Sequence, residues 1–224
     1  MSEPTLQDRF HLIGIGGAGM SVVAELLASR GATVEGSDRE ESPVLEHLRS
    51  VGVRAFVGHE ASHVDPSSVV VVSTAIREDN PELAVARERG QRVIHRSQAL
   101  ALAASGMRFV GVAGAHGKTT TSGMLAIGLS ACGLDPSVAV GGVLPQLGTG
   151  AHLGGGDVFV AEADESDGSF LNYTPAIEIV NNVEPDHLDR YHSREEFEEI
   201  FVEFASRMVP GGLLVTCAED EGAV

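Results

Sequence analysis

The sequence predicts an α/β protein with two successive parallel-sheet units. Short apolar runs rich in β-branched residues alternate with amphipathic stretches along its 224 residues, which is the pattern of consecutive βαβ units. Two glycine-rich segments, one near residue 14 and one near residue 114, each separate a predicted strand from a predicted helix. Open α/β sheets bind phosphates at such turns, so we expect a nucleotide site in each unit.

The composition limits the classes of partner. Fifteen Lys+Arg residues against 32 Asp+Glu residues give a net charge of −17. This charge repels nucleic acids and anionic membranes, so we expect no partner of either kind. No apolar run spans a bilayer and the N-terminus has no signal-like segment, which predicts a soluble cytoplasmic protein. Cys132 and Cys217 are too few for a disulfide scaffold or a zinc site and are predicted to be half-buried reduced thiols.

The first glycine-rich segment has the spacing of a dinucleotide-binding turn. An apolar run, Phe10 to Ile15, leads into a G-x-G-x-x-G sequence, and a helical stretch follows up to Gly31. Asp38 ends the second predicted strand, about twenty residues beyond the loop, where a ribose-binding acid is expected. The segment therefore predicts a Rossmann-like unit that binds a nucleotide diphosphate. NAD is the default ligand, although a nucleotide-sugar diphosphate uses the same helix N-terminus.

The residues predicted to contact this nucleotide lie in the loop and at the ends of strands. They are Gly14, Gly16, Gly17, Ala18, Gly19, Met20, Ser37, Asp38, Ser73 and Thr74. Ser73 and Thr74 follow the run Val69 to Val72, and open α/β sheets hold ligands at the carboxyl ends of their strands. His59 and His63 lie in polar loop sequence and are expected to be solvated.

The second glycine-rich segment has the sequence of a phosphate-binding loop. Phe109 to Ala113 predicts a buried strand, and a helix is predicted to begin at Lys118. The end of the pattern G-x-x-x-x-G-K-[ST] is intact at Gly117, Lys118 and Thr119, although Val112 replaces the first glycine. Loop amides and the lysine bind β- and γ-phosphates, and the threonine hydroxyl ligates magnesium. We therefore predict a P-loop-type α/β unit.

Candidate metal ligands follow the next strands. Glu162 comes at the end of the predicted strand 157–161 and is the first choice for a magnesium ligand. Glu165 and Asp167 in the same acidic segment are expected to be solvated. His187 follows another predicted strand and is flanked by two aspartates, which makes it a candidate ligand, although a lone histidine usually is not one. The glycine-dense stretch from Val140 to Gly156 predicts a loop that either covers a ligand or is merely flexible.

Four segments together resemble the Mur ligases, namely residues 11–20, 114–121, 162–167 and 184–189. The resemblance covers essentially the whole chain, and Ala115 departs from it because threonine is usual there. The likeness is greatest to the members that join L-alanine to the lactyl carboxylate of UDP-N-acetylmuramate. It implies an ATP-dependent ligase of peptidoglycan synthesis that uses magnesium and forms an acyl phosphate.

The resemblance also implies a role for individual residues. UDP diphosphate rather than NAD would lie on the first loop, and Lys118, Glu162 and His187 would be catalytic. The magnesium ligands would be Thr119, Glu162 and His187. The ATP-binding residues would be Gly114, Ala115, His116, Gly117, Lys118, Thr119 and Thr120.

Members of the family have three domains, which sets expectations for this chain. Residues 1–105 would be the UDP-sugar-binding domain and residues 106–224 an incomplete ATP-binding central domain, with the third domain absent. We therefore expect this fragment to bind substrate without full turnover. Three alternatives stay open: a related ligase that recycles murein peptides onto the same sugar, a non-catalytic nucleotide-binding module, and a dehydrogenase. The dehydrogenase leaves the second glycine loop unexplained.

Overall fold

The computed structural model describes residues 3–184 and 191–224. The chain divides into two compact units, Met1–Ser105 and Gly106–Val224. Each unit combines α-helices with a sheet that is wholly or largely parallel, which confirms the predicted α/β class. No helix in the described part of the chain is long and apolar enough to cross a membrane.

The first unit alternates strands with helices throughout. Its strands are β1 (Arg9–Ile13), β2 (Thr33–Asp38), β3 (Arg54–Val57), β4 (Val69–Val72) and β5 (Val93–His95). Its α-helices are α1 (Ala18–Ser29), α2 (Pro43–Ser50), α3 (Pro81–Glu88) and α4 (Arg96–Ala103). The strands are parallel and lie in the order β3-β2-β1-β4-β5. The strand order reverses between β1 and β4, so the ligand crevice of such a sheet is expected at their carboxyl ends.

The core of the first unit is built on the apolar strands β1 and β4. Ile13 and Val70 are fully buried and pack against Leu83 and Ala86 of α3. Helix α3 begins at this position because Asn80 is its N-cap, with its side-chain oxygen accepting from the Glu82 and Leu83 amides, and because Pro81 favours the first helical turn. This start places the first turn of α3 against the sheet.

The second unit is built around the strand of the second glycine loop. Its strands are β6 (Arg108–Ala113), β7 (Ser137–Leu144), β8 (Thr149–His152), β9 (Val158–Glu162), β10 (Ile177–Val180) and β11 (Leu213–Thr216). Its α-helices are α5 (Lys118–Ala131) and α6 (Arg194–Ser206). The sheet order is β11-β10-β6-β9-β7-β8, and β8 alone runs antiparallel to its described neighbour. Strand β6 therefore lies between β9 and β10, whose carboxyl ends flank the loop.

The predicted loop from Val140 to Gly156 is wrong, because most of this stretch forms the β7–β8 hairpin. Its glycines allow close approach of backbone. A Cβ atom on Gly150 would lie 2.5 Å from the carbonyl oxygen of Val140 and 2.6 Å from that of Gly142. Glycine content here therefore reflects packing rather than flexibility. The thiols also differ from expectation, since Cys132 and Cys217 are both exposed.

Strand β10 carries a buried carboxyl group, Glu178. The strand lies between β6 and β11, where Glu178 is paired with Gly111 and Leu214. Its side chain is fully buried, and neither carboxyl oxygen has a hydrogen-bond partner. Burial raises the pKa of Glu178 from its ordinary value of 4.5 to about 7. The folded protein therefore keeps this group protonated at pH values where the unfolded chain ionises it.

We expect Glu178 to make the stability of the protein depend on pH. Below pH 4.5 the carboxyl group is protonated in both the folded and the unfolded chain, so its burial does not reduce stability. As the pH rises through about 7, the unfolded chain is favoured because it ionises the group more readily. The resulting loss in the free energy of unfolding is about 3 kcal/mol. Urea unfolding at about pH 5 and about pH 8 should show Glu178→Gln more stable than the wild type only at the higher pH.

Glu199→Gln is the matched control, because it removes the same formal charge from the exposed face of α6. It should follow the wild-type pH dependence. If the free energy of unfolding depended on pH equally in Glu178→Gln and in the wild type, this account of the buried carboxyl group would be contradicted.

Candidate functional site

The first glycine loop joins β1 to α1 and is held by the end of β2. The amides of Gly14 and Ile15 donate to the carbonyl oxygen of Ser37 at 2.8 and 2.9 Å. The Gly16 amide donates to Asp38 Oδ2 at 2.8 Å. Gly14 has a φ of +76°, which favours glycine. The acid that we predicted to bind ribose therefore also fixes the loop itself.

The first turn of α1 offers unsatisfied donors. The amides of Ala18, Gly19 and Met20 have no hydrogen-bond acceptor among the described residues. The first amides of a helix have no intrahelical partner, and the helix dipole favours a negative charge beside them. This end of α1 is therefore suited to a phosphate group.

A cleft of about 580 Å³ opens over this loop. It is lined by nine of the ten residues predicted to contact the nucleotide: Gly14, Gly16, Gly17, Ala18, Gly19, Met20, Asp38, Ser73 and Thr74. The exception is Ser37, whose fully buried hydroxyl donates to Glu82 Oε2 at 2.5 Å. Sequence reasoning missed a further set of lining residues: Arg39, Glu40, Glu41, Ser42, His59, Ala75, Ile76 and Arg96.

Arg96 supplies positive charge at the cleft. It is the first residue of α4, directly after β5, and its guanidinium lies so close to Gly19 that a Cβ atom at that position would require the Arg96 side chain to move. Its position directly after strand β5 is the signal that could have found it, since the position after β4 identified Ser73 and Thr74. The cation therefore lies beside the unsatisfied amides of α1.

The expectation that His59 and His63 are solvated is wrong. Their side chains are only 15% and 16% exposed. His59 Nδ1 is 2.8 Å from Ser37 Oγ, and His63 Nδ1 is 3.2 Å from Glu82 Oε1. Both histidines are half-buried, because polar partners from distant parts of the chain, Ser37 and Glu82, satisfy their Nδ1 atoms.

The second glycine loop holds the chain's only lysine. Lys118 Nζ donates to the Gly114 carbonyl oxygen at 2.8 Å and to both carboxyl oxygens of Glu165 at 2.8 and 2.9 Å. Glu165 is fully buried, so the expectation that it is solvated is wrong. Burial raises the pKa of Glu165 above its ordinary value, and Lys118 opposes that shift. The lysine therefore neutralises a buried carboxylate beside the loop.

Two asparagines at the end of β10 hold the loop from the other side. The His116 amide donates to Asn182 Oδ1 at 3.0 Å. The His116 carbonyl oxygen accepts from the side-chain amides of Asn181 and Asn182 at 3.2 and 3.1 Å. Thr121 Oγ1 also donates to Asn181 Oδ1 at 3.2 Å. Sequence reasoning missed both asparagines, although they follow a predicted strand.

The first turn of α5 resembles that of α1. Gly117 is the N-cap, with a φ of +81° that favours glycine. The amides of Lys118, Thr119 and Thr120 have no hydrogen-bond acceptor in the described part of the chain. A second anion site is therefore available at this helix.

Two of the predicted magnesium ligands, Thr119 and Glu162, lie beside the dipeptide Gly141-Gly142 of β7. Glu162 Oε1 accepts from the Gly141 amide at 2.9 Å, and a Cβ atom on Gly142 would lie 3.2 Å from Thr119 Cγ2. A hydroxyl and a carboxylate are oxygen donors that suit magnesium, which keeps several water and phosphate ligands. His187 lies outside the described residues, within which no group of three or more His, Cys, Asp or Glu could hold a metal ion.

The chain matches two family descriptions. Residues 9–108 match "Mur ligase family, catalytic domain" and residues 112–223 match "Mur ligase middle domain". It is 55% identical over 218 residues to a UDP-N-acetylmuramate–L-alanine ligase of Kineococcus radiotolerans, covering 96% of this chain and 46% of that protein. It is also 55% identical over 221 residues to the ligase of the same name in Streptomyces coelicolor, covering 98% and 48%.

Two solved ligase structures are similar to this chain over nearly its whole length. A UDP-N-acetylmuramate-alanine ligase of Thermotoga maritima superposes with a TM-score of 0.84 at 33% identity, covering 96% of this chain and 50% of that one. The UDP-N-acetylmuramate:L-alanyl-gamma-D-glutamyl-meso-diaminopimelate ligase of Neisseria meningitides superposes with a TM-score of 0.88 at 28% identity, covering 96% and 73%.

The chain spans about half the length of the curated relatives it matches. The two family descriptions together account for nearly all of its residues. The chain belongs to the Mur ligase family.

Proposed function

We propose that this chain is the UDP-sugar- and ATP-binding part of a ligase that joins L-alanine to the lactyl carboxylate of UDP-N-acetylmuramate. The observation that carries this proposal is the pair of glycine loops, each followed by a helix whose first amides have no acceptor. A ligase of this kind needs two nucleotide sites. Relatives named for this reaction are 55% identical over nearly the whole chain.

The first site would bind the diphosphate of the UDP-sugar. The unsatisfied amides of Ala18, Gly19 and Met20 and the guanidinium of Arg96 together offer hydrogen bonds and charge to two phosphate groups. The remaining lining residues, among them Ser73 and Thr74, would contact the sugar or the nucleoside. An anion can bind to this acidic chain because its charge is met locally.

The second site would bind ATP. Its phosphates would lie on the amides of the loop and of the first turn of α5, with Lys118 as the cation. The lysine uses all three of its donors on Gly114 and Glu165, so it must exchange at least one of these bonds for a phosphate oxygen. Glu165 is buried and therefore favours an arrangement in which Lys118 contacts it and the phosphate together.

The proposed reaction has two steps. The γ-phosphoryl group of ATP passes to the lactyl carboxylate, giving an acyl phosphate and ADP. The amine of L-alanine then attacks the acyl carbon, and inorganic phosphate leaves as the amide forms and the amine loses a proton. Bound magnesium would neutralise charge on the phosphoryl oxygens, held by Thr119 and Glu162, with His187 as a further expected ligand. No covalent protein nucleophile is needed, since positioning and charge supply most of the catalysis.

The alternatives differ in what they require. A dehydrogenase gives no role to Lys118 and the second loop. The ligase that recycles murein peptides uses the same sugar and ATP, and a fold shared with the Neisseria meningitides structure does not separate it from the alanine ligase. The 55% identity to two named alanine ligases favours L-alanine. A cytoplasmic location follows from the ATP and the nucleotide sugar that the reaction consumes.

Calorimetric titration should show that the chain binds UDP-N-acetylmuramate more tightly than NADH. Arg96→Ala should weaken binding of the UDP-sugar about tenfold, because it removes a charge-assisted hydrogen bond to the diphosphate. Arg77→Ala removes the same charge from a side chain that is 83% exposed and should have no effect. Tighter binding of NADH would overturn the assignment of the first site.

Lys118→Ala should abolish measurable binding of magnesium–ATP and leave the affinity for the UDP-sugar unchanged. Arg207→Ala is the matched control, because it removes one positive charge from the end of α6 in the same unit. Since Lys118 is the only lysine, incorporation of carbon-13-labelled lysine labels this residue alone and leaves its hydrogen bonds intact. Magnesium–ATP should shift the resonance of the Lys118 Cε methylene group, and UDP should not. Loss of UDP-sugar binding in Lys118→Ala would contradict the division into two sites.

A further inference from the structure

A buried cluster of charged groups lies behind the cleft of the first unit. Its centre is Glu82, in the first turn of α3, which is fully buried, as are His11 and Ser37. Glu82 Oε2 is 3.1 Å from His11 Nε2 and 2.5 Å from Ser37 Oγ. Glu82 Oε1 accepts from the Glu60 amide at 3.2 Å. Three parts of the chain that are far from Glu82 in sequence therefore converge on its carboxylate.

The hydrogen-bond directions in this cluster are fixed by Glu82. Burial alone would raise the pKa of Glu82, but hydrogen bonds from His11 and Ser37 outweigh it and lower the pKa below its ordinary value. The carboxylate is therefore ionised and accepts the one proton of the Ser37 hydroxyl. His59 Nδ1, 2.8 Å from the same hydroxyl oxygen, must then be the donor to Ser37.

The cluster contacts two parts of the cleft lining. The Ser37 carbonyl oxygen holds the amides of Gly14 and Ile15 in the glycine loop. His59 lines the cleft while its Nδ1 is bound to the Ser37 hydroxyl. Glu82 itself does not line the cleft. Its described contacts with these two parts run through Ser37 and through the segment from residue 59 to residue 63.

We propose that Glu82 is a positioning residue for the diphosphate ligand of the first unit, acting through Ser37 on the glycine loop and on His59. This inference rests on the proposed UDP-sugar site. A carboxylate is suited to this role because it accepts from Ser37, His11, Glu60 and His63 at once, whereas an amide has a single acceptor oxygen. The walls of a cleft that binds a charged ligand must be held in place before binding for the affinity to be high.

The chain provides a matched control in Glu35. This carboxylate is 3% exposed and lies 3.9 Å from the other ring nitrogen of His11. Its remaining described partners are Ser68 and Arg9. Glu35 is therefore a comparably buried member of the cluster that contacts neither Ser37 nor His59.

The test is calorimetric titration of the chain and its variants with UDP. Calorimetry separates the dissociation constant from the stoichiometry, and a merely structural role would lower the stoichiometry by reducing the folded fraction. Glu82→Gln should raise the dissociation constant about tenfold at unchanged stoichiometry. Glu35→Gln should leave the dissociation constant unchanged, whatever it does to the stability.

Ser37→Ala is a second variant, which tests the same chain of hydrogen bonds if Glu82→Gln does not fold. It removes the hydroxyl that links Glu82 to His59, so it should also raise the dissociation constant. The double variant should lose less affinity than the two single effects combined, since both act on one chain of hydrogen bonds. Unchanged affinity in Glu82→Gln and Ser37→Ala, or an equal loss in Glu35→Gln, would overturn the inference. A wild-type chain that does not bind UDP would instead overturn the proposed UDP-sugar site.

Discussion

Both glycine loops depend on hydrogen bonds with groups at the carboxyl end of a neighbouring strand. A loop that directs its amides towards one anion leaves those donors without helix or sheet partners, so other groups must fix its shape. At the first loop, the carbonyl oxygen of Ser37 and the carboxylate of Asp38 hold three consecutive amides. At the second loop, Asn181 and Asn182 hold the backbone of His116. The same constraint is met by different chemistry in each unit, and in both cases the first helical turn keeps its amides unpaired.

Burial of charge distinguishes the two sites. Lys118 and Glu165 form a tightly bonded pair at the second loop, so the charge of the lysine proposed to contact a phosphate is compensated by Glu165. At the first loop, the buried charges of His11, Glu35 and Glu82 lie behind the cleft. In a chain with a net charge of −17, the local attraction for an anion therefore comes mainly from the first-turn amides of α1 and α5, which are unpaired among the described residues. Salt screening limits the repulsion from more distant acidic residues.

The features of the fold that depend on short-range sequence patterns were predicted from the sequence. Runs of β-branched residues located nearly every strand, and the two glycine loops indicated the candidate sites, because strand–glycine–helix order is local. The β7–β8 hairpin was missed because its glycines were interpreted as signs of a loop, although Gly150 packs closely against the backbone of β7 within the hairpin. Glu165 and His59 were mistaken for solvated residues because their partners, Lys118 and Ser37, are 47 and 22 residues away in sequence. Pairing across such distances has no local sequence signal, so polar residues of this kind are predicted to be exposed to solvent.

The central claim is that the two glycine loops bind different nucleotides independently. Amide hydrogen exchange measured on the intact chain, first with UDP-N-acetylmuramate alone and then with magnesium–ATP alone, tests it most directly. The account predicts that the UDP-sugar slows exchange at residues 14–20 and leaves residues 114–121 unchanged, and that magnesium–ATP does the reverse. Protection of the same loop by both ligands, or of neither loop by either ligand, would contradict the account.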